Sequence, residues 1–321
     1  MNTKLAEAYS YYKNGQIKMA EELCQKIKKK DPNNYENLNL LSIILFQNKI
    51  YDQSIYLIKK SLKINPNQAE TNNNLGIMLI KLKKFREAKF FIKQSIKIKP
   101  DFIEPYNNLG IAYKELNEYK NALDIWKKAT KINENSSQLF NNIGNVLVEI
   151  KKEKEALEYY KKAIKVDEKF FLAYFNLGNA LQKLNLFEDS IHHYKKVFYL
   201  KEDYAEAYYN CGNSYLSLNK FDKALEYYKK AYKINPNLKE LYGNILNLNK
   251  TLCKWENYEK EIAFLEENIS LNKNMINPFT ALSIFNSSKV QNIITTENVK
   301  KKYQKNLIKD KKETFKRKNN I

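Results

Sequence analysis

Six asparagines stand at a single spacing through most of this chain. They are Asn74, Asn108, Asn142, Asn176, Asn210 and Asn244, each 34 residues after the one before. A second set, Asn39, Asn73, Asn107 and Asn141, sits one residue earlier, and a third, Asn145, Asn179 and Asn213, sits three residues later. Residues three apart share a helix face, so on helices the first and third sets adjoin. An asparagine amide offers donors and an acceptor, the complement of a backbone C=O and N–H. A ladder of them would hold an extended polypeptide with little regard to its side chains, each contact contributing about 0.5–1.5 kcal/mol net. The same spacing also suits hydrogen bonds between repeats, and both uses stay open at this level. Glu36, Glu70, Glu104, Glu206 and Glu240 form another phased row, four residues before the asparagine position. In the first turn of a helix a carboxylate is favoured by the dipole; the alternative is an acidic lip that selects basic substrates.

No other constellation points to catalysis or metal binding. The two histidines, His192 and His193, are adjacent, and neighbours on a helix point apart, so they do not chelate. Cys24 falls at an aromatic core position and Cys211 at an aliphatic one, which makes both small buried hydrophobes. Cys253 has nothing near it in sequence to activate a thiolate. Seven glycines serve the whole chain and none follows Gly243. A phosphate-binding glycine loop is therefore excluded, along with a nucleotide-binding α/β domain. No cofactor and no metal is expected.

The elements that position these rows must be short hairpins of helices. Few Gly and Pro imply short loops, and abundant Tyr, Phe and Leu with little Val or Thr favour helix over strand. The period of 34 places Gly76, Gly110, Gly144, Gly178 and Gly212 two residues beyond the first asparagine row. It places Ala88, Ala122, Ala156, Ser190 and Ala224 one turn into a second helix, where two helices must approach closely. Ile92, Trp126, Tyr160, Tyr194 and Tyr228 follow four residues later on the same face. Pro66, Pro100 and Pro236 then stop the helix, with Glu134, Glu168 and Glu202 at that position elsewhere.

The net charge of +20 comes from 56 basic residues against 36 acidic ones. Of the basic residues only Arg86 and Arg317 are arginine, the side chain favoured for bidentate phosphate and base contacts, so a nucleic-acid reading is disfavoured. Excess Lys, Asn and Ile also matches the drift of an AT-rich genome. No run approaches the roughly 18 apolar residues of a membrane span. The first residues lack the apolar core of a signal peptide, and three scattered cysteines suit a reducing compartment. A cytoplasmic chain is the expectation.

Residues 103–136 (Tyr106, Leu109, Gly110, Tyr113, Ala122, Trp126, Ala129) and 205–238 (Tyr208, Gly212, Tyr215, Ala224, Tyr228, Ala231, Pro236) resemble the tetratricopeptide repeat family. The resemblance implies an all-α, right-handed superhelical solenoid of seven to eight hairpins with a short helical C-terminal extension. The expected units are 1–34, 35–68, 69–102, 103–136, 137–170, 171–204 and 205–238, with Ala8 and Ser42 at the glycine position of the first two. A degenerate eighth unit over 239–271 caps the array, with Leu246 and Tyr258 at its close-approach positions, so its hairpin should splay or pack against something different. A helical, basic, partly disordered extension follows over 272–321. First helices of such hairpins line a concave surface. Repeats of this family that clamp a chaperone C-terminus use Lys and Arg there, whereas Asn and Glu stand there in this chain.

Beyond the array, Cys253-Lys254-Trp255, Tyr258, Asn277-Pro278-Phe279 and Leu282 resemble the junction between repeats and catalytic domain in the O-GlcNAc transferase and SPINDLY family. That resemblance, over roughly 35–300, implies a substrate-holding role for Asn74, Asn108, Asn142, Asn176, Asn210 and Asn244, to which the adjoining Asn145, Asn179 and Asn213 belong by position. It implies other proteins as partners, bound through extended segments, and a possible partner glycosyltransferase domain. The roughly 250 further residues of a sugar-nucleotide-binding half are not in this sequence, so no catalytic residue carries over. From Lys300 onward, ten Lys or Arg face only Asp310 and Glu313, a charged tail open to solvation or to a polyanion or acidic membrane. The expectation is a polypeptide-binding module, with two alternatives: the N-terminal piece of a glycosyltransferase whose catalytic half is missing or on another chain, or an assembly scaffold.

Overall fold

The computed structural model describes residues 3–254, 256, 258–268 and 276. Every regular element among them is an α-helix, and the helices pair into consecutive hairpins. The chain divides into two compact units, Met1–Val166 and Asp167–Ile321. The first holds α1 (Thr3–Lys13), α2 (Ile17–Lys30), α3 (Tyr35–Gln47), α4 (Tyr51–Ile64), α5 (Ala69–Lys81), α6 (Phe85–Ile98), α7 (Ile103–Glu115), α8 (Tyr119–Ile132), α9 (Ser137–Glu149) and α10 (Glu153–Val166). The second holds α11 (Phe171–Lys183), α12 (Phe187–Leu200), α13 (Ala205–Ser217), α14 (Phe221–Ile234), α15 (Leu241–Thr251) and α16 (Tyr258–Asn268). Odd-numbered helices are the first members of their hairpins and even-numbered helices the second.

Each hairpin turns at one left-handed residue, and these too recur every 34 positions: Gly15, Lys49, Lys83, Asn117, Lys151, Asn185, Asn219 and Cys253, with φ between 54° and 74°. One residue further on, a backbone N–H reaches back five positions, as Ile50 does to Leu45, Lys152 to Leu147 and Lys254 to Asn249. This bond pattern satisfies carbonyls that the ending helix leaves open. Several second helices end alike whether proline follows or not. α4, α8 and α14 stop at Ile64, Ile132 and Ile234, and in each case the next residue, Asn65, Asn133 or Asn235, accepts a hydrogen bond from the backbone N–H two positions on. The side-chain turn accompanies these ends with or without proline, whereas α6 and α12, followed by Lys99 and Lys201, end without one.

Packing inside a hairpin follows the two small-residue rows. Ala88, Ala122, Ala156, Ser190 and Ala224 are fully buried. A Cβ added at Gly110 would fall on the Trp126 ring, and one at Gly178 would meet Tyr194, so the first helix must present bare backbone to a large ring. In the first two hairpins Ala8 and Ser42 replace glycine, and the residues at the ring position there are the smaller Cys24 and Ile58, all buried.

The last hairpin departs from phase. α15 begins at Leu241, so Glu240 precedes the helix in a left-handed conformation (φ 64°) and pairs with Lys239. It is thus not the first-turn carboxylate that the phased row predicts; Glu36, Glu70, Glu104 and Glu206 are. Leu246 at the glycine position is buried, and the close-approach glycine of α15 is instead Gly243, which faces the buried Ile276. The junction residues Trp255, Asn277, Pro278, Phe279 and Leu282 lie outside the described residues, as does the expected 272–321 extension apart from Ile276. No described helix is long and apolar enough to cross a membrane.

Candidate functional site

All nine asparagines of the first and third rows stand on first helices and are half-buried, so each keeps some access to solvent. The third row reaches the ring-position tyrosines, whose rings pack on the intervening glycines.

In the unit Met1–Val166 the first row bonds backward along the array. The Asn108 amide donates to Asn73 Oδ1 at 2.9 Å, and the Asn142 amide donates to Asn107 Oδ1 at 2.9 Å. Asn142 Oδ1 also accepts from Gln138 at 3.1 Å. The step that would join Asn74 to Asn39 by the same rule is open. Asn39 Oδ1 is buried with no partner, and the Asn74 side chain makes no hydrogen bond among the described residues. Asn145 of the third row accepts from the Tyr160 hydroxyl at 2.9 Å.

In the second unit the wiring changes. Asn179 Oδ1 accepts from both the Tyr194 hydroxyl and the Asn210 amide at 2.8 Å. Asn213 Oδ1 accepts from the Tyr228 hydroxyl at 2.6 Å. Asn244 donates at 3.1 Å to the hydroxyl of Tyr209, which stands where the first unit has asparagine. Asn176 is half-buried on α11. Burial pushes the hydroxyls of Tyr160, Tyr194 and Tyr228 well above the usual tyrosine range, so each is a reliable donor at any ordinary pH.

What remains is a set of complementary polar groups. The Oδ1 atoms of Asn108, Asn210 and Asn244 accept nothing among the described residues, and the amide nitrogens of Asn145 and Asn179 donate nothing. Asn210 and Asn179, joined amide to carbonyl at 2.8 Å, leave one acceptor and one donor, the two halves of a backbone-recognition pair. In the first unit, a cavity of about 520 Å³ is lined by Phe102, Glu104, Asn107, Asn133, Ser136 and Leu139. Of the glutamate row, Glu70 reaches Lys99 at 3.5 Å across exposed surface, a contact of little energetic weight.

Cys24 and Cys211 are buried, and burial pushes both thiols up to about 12, which leaves them inert at neutral pH. Cys253 is exposed in its turn. His192 is exposed and His193 half-buried, their rings 5.3 Å apart edge to face. One correlation carries the third row and is visible in the residues themselves. Where the ring position is Tyr160, Tyr194 or Tyr228, the residue 15 earlier is Asn145, Asn179 or Asn213; where it is Ile58, Ile92 or Trp126, that residue is Ile43, Ile77 or Ile111.

Models of the tetratricopeptide repeat match residues 103–136, 172–204 and 205–238, and a TPR repeat model matches 144–185. Residues 13–95 match a model of anaphase-promoting complex, cyclosome, subunit 3. No curated protein gives a significant match. Among solved structures, the C-terminal part of a TPR repeat-containing protein from Cytophaga hutchinsonii aligns over 75% of this chain and 99% of its own, with TM-score 0.60 and 15% identity. PilF of Pseudomonas aeruginosa aligns over 63% of this chain and 92% of its own, with TM-score 0.54 and 18% identity. YrrB, described as a TPR protein with an unusual peptide-binding site, covers 56% of this chain and 93% of its own at 26% identity and TM-score 0.46. The period, the hairpins and the matched models converge on one assignment: the chain is a tetratricopeptide-repeat protein.

Proposed function

We propose that this chain is a protein–protein interaction module that holds extended polypeptide segments against its first helices, along Asn74, Asn108, Asn142, Asn176, Asn210 and Asn244 and the adjoining Asn145, Asn179 and Asn213. In this reading the working units are 1–34, 35–68, 69–102, 103–136, 137–170, 171–204 and 205–238, with 239–271 as the cap. The observation that carries it is the unspent hydrogen-bonding capacity: free acceptors on Asn108, Asn210 and Asn244 and free donors on Asn145 and Asn179, with Asn210 and Asn179 in direct contact. A bound backbone would satisfy both, at about 0.5–1.5 kcal/mol per bond.

A second reading, an assembly scaffold, is favoured by a specific observation too. The first-row amides of Asn108, Asn142, Asn210 and Asn244 already tie one hairpin to the next. Asn74 separates the two, because it makes no such tie. Peptides selected from a display library would be titrated against the wild type and Asn74→Ala. The expected result is affinity weakened about threefold to tenfold with unchanged thermal stability. Unchanged affinity for every selected peptide would leave the scaffold reading.

The finer proposal is that the module recruits substrate for an O-GlcNAc-transferase-like protein, with the catalytic half on the same or another chain. It rests on the phased asparagines and on the Cys253-Lys254-Trp255 spacing. A uridine-diphosphate-sugar titration of this chain should show no binding, and recovery of a sugar-nucleotide-binding partner with it would support the finer reading.

A further inference from the structure

The lysines of the first unit are as strictly phased as its asparagines, but on the other helices. Lys59, Lys93, Lys127 and Lys161 occupy one position of α4, α6, α8 and α10, and Lys63, Lys97, Lys131 and Lys165 follow one turn later. All eight are exposed. Lys59 is held by Glu87 at 2.5 Å and Lys161 by Glu158 at 3.2 Å. Lys63, Lys97, Lys127 and Lys131 have no carboxylate partner among the described residues.

Three residues before the first lysine row, on the same helix face, α4 carries Tyr56 and α6 carries Phe90. They are 65% and 59% exposed, on second helices whose ring-position residues, Ile58 and Ile92, are completely covered. Arg86 is exposed one turn before Phe90, while α8 and α10 carry Asp124 and Glu158 at the aromatic position. A helix dipole accounts for lysines in a last turn, where Lys63, Lys97, Lys131 and Lys165 lie. It accounts neither for the mid-helix row nor for two aromatic rings left in water at one repeat position.

We propose that this second-helix face of the unit Met1–Val166, centred on α4 and α6, docks on an anionic lipid bilayer. Charge complementarity selects the occupant. Lysine ammoniums are compact, strongly hydrated charges suited to headgroup phosphate and carboxylate, and with Arg86 alone among them the face lacks the forked donors that read nucleic acid. The rings select a bilayer over an acidic polypeptide. Tyr56 and Phe90 project into water, and a projecting aromatic anchor needs a pocket in whatever protein partner receives it. An acidic polypeptide lying extended offers no such pocket. A headgroup layer instead accepts a projecting amphipathic or apolar side chain without shape matching, while flanking lysine stems snorkel.

The test is co-sedimentation of the full chain with phosphatidylcholine vesicles with and without phosphatidylserine. Binding is expected only with phosphatidylserine, falling as salt rises. The Tyr56→Ser/Phe90→Ser variant should bind about tenfold more weakly at the same salt, and Lys63→Gln/Lys97→Gln/Lys131→Gln should bind weakly or not at all. These are surface positions, and helical circular dichroism should match the wild type. Equal binding to neutral vesicles would overturn the proposal, as would full binding by the double aromatic variant. So would loss of binding on removal of residues 300–321 with the lysine variant unaffected. Displacement from vesicles by poly-glutamate at matched charge would replace the bilayer with an acidic polypeptide, and displacement by single-stranded DNA would replace it with nucleic acid.

Discussion

The two units repeat one backbone and wire it differently. From α3 to α8, the ring position is filled by Ile58, Ile92 and Trp126, side chains without a hydroxyl, and the facing residues on the first helices are Ile43, Ile77 and Ile111. In the second unit the ring position holds Tyr194 and Tyr228, and each hydroxyl ends on an asparagine of the facing helix. α9 and α10 already carry the second arrangement, through Tyr160 and Asn145. The residue before the ladder changes as well, from Asn73 and Asn107 in the first unit to Phe175 and Tyr209 in the second. A buried hydroxyl without a partner costs about 1–3 kcal/mol, so ring and asparagine have to change together. The close-approach glycine is indifferent to this choice, and Gly76 through Gly212 persist across it. A repeat can therefore keep its shape while its polar surface is rewritten, provided that the exchange is made in pairs.

The largest effect should come from removing a ring. Trp126→Ala empties a fully enclosed site beside Gly110 and should cost about 3–5 kcal/mol, measured by urea unfolding. The indole also donates to the Asn107 carbonyl at 3.2 Å, and Asn107 Oδ1 receives Asn142, so amide exchange should rise at α9 as well as at α7. A loss confined to the hairpin of α7 and α8 would show that first-row ties carry no coupling between repeats.

Next comes alkaline pH, which should act through the tyrosine-wired hairpins. Burial raises the hydroxyl pKa of Tyr160, Tyr194 and Tyr228 above the ordinary 10.0. The unfolded chain ionises first, so this stability is complete below about pH 10 and is lost as pH rises toward the folded-state values. The slope is about 1.4 kcal/mol per pH unit for each tyrosine. Phenolate absorbance should lag at neutral-stable α11–α14 and then appear together with unfolding. Free titration of all tyrosines at pH 10 with retained helicity would break the comparison.

The pairing itself is tested by a smaller effect. Tyr228→Phe leaves Asn213 Oδ1 without its hydroxyl and should cost about 1–2 kcal/mol. Adding Asn213→Ile, the residue type of the first unit at that position, should recover most of the loss, with a coupling of about 1 kcal/mol in a double-mutant cycle. Additive losses would mean that the tyrosine and asparagine rows are not a matched set.

Much of this was legible in the residues and some was not, for physical reasons. Glycine and alanine rows at 34-residue spacing lead directly to hairpins, because only small side chains permit close approach, and the structure places helices accordingly. The phased asparagines lead to first-helix rows, yet sequence spacing does not show that an amide on one helix reaches back 35 residues to the preceding hairpin. The match of tyrosine with asparagine 15 residues earlier was present in the sequence as a correlation and needed only to be sought. The prolines stand just past α4, α6 and α14, and the side-chain turns at Asn65, Asn133 and Asn235 recur where proline is absent as well as where it is present. Glu240 leaves its row because α15 starts late, at Leu241.

The hairpin turns were the least legible, and they supply the smallest effect. The left-handed position is filled by Gly15, Lys49, Lys83, Asn117 and Lys151 in the first unit and by Asn185, Asn219 and Cys253 in the second. Glycine adopts φ > 0 freely and asparagine tolerates it, so those turns carry a signal. Lysine has none: its Cβ crowds the following carbonyl, at a cost of about 1–2 kcal/mol. Lys83→Gly relieves that cost while adding backbone freedom to the unfolded chain, which returns roughly half of it. The net expectation is a gain of about 0.5–1 kcal/mol for Lys83→Gly and the same for Lys151→Gly, both at exposed positions. Asn219→Gly should gain no more than a few tenths. Thermal unfolding of the three variants ranks them, and a larger gain at Asn219 than at Lys83 would mean that these turns are held by their backbone bonds alone, whatever residue occupies them.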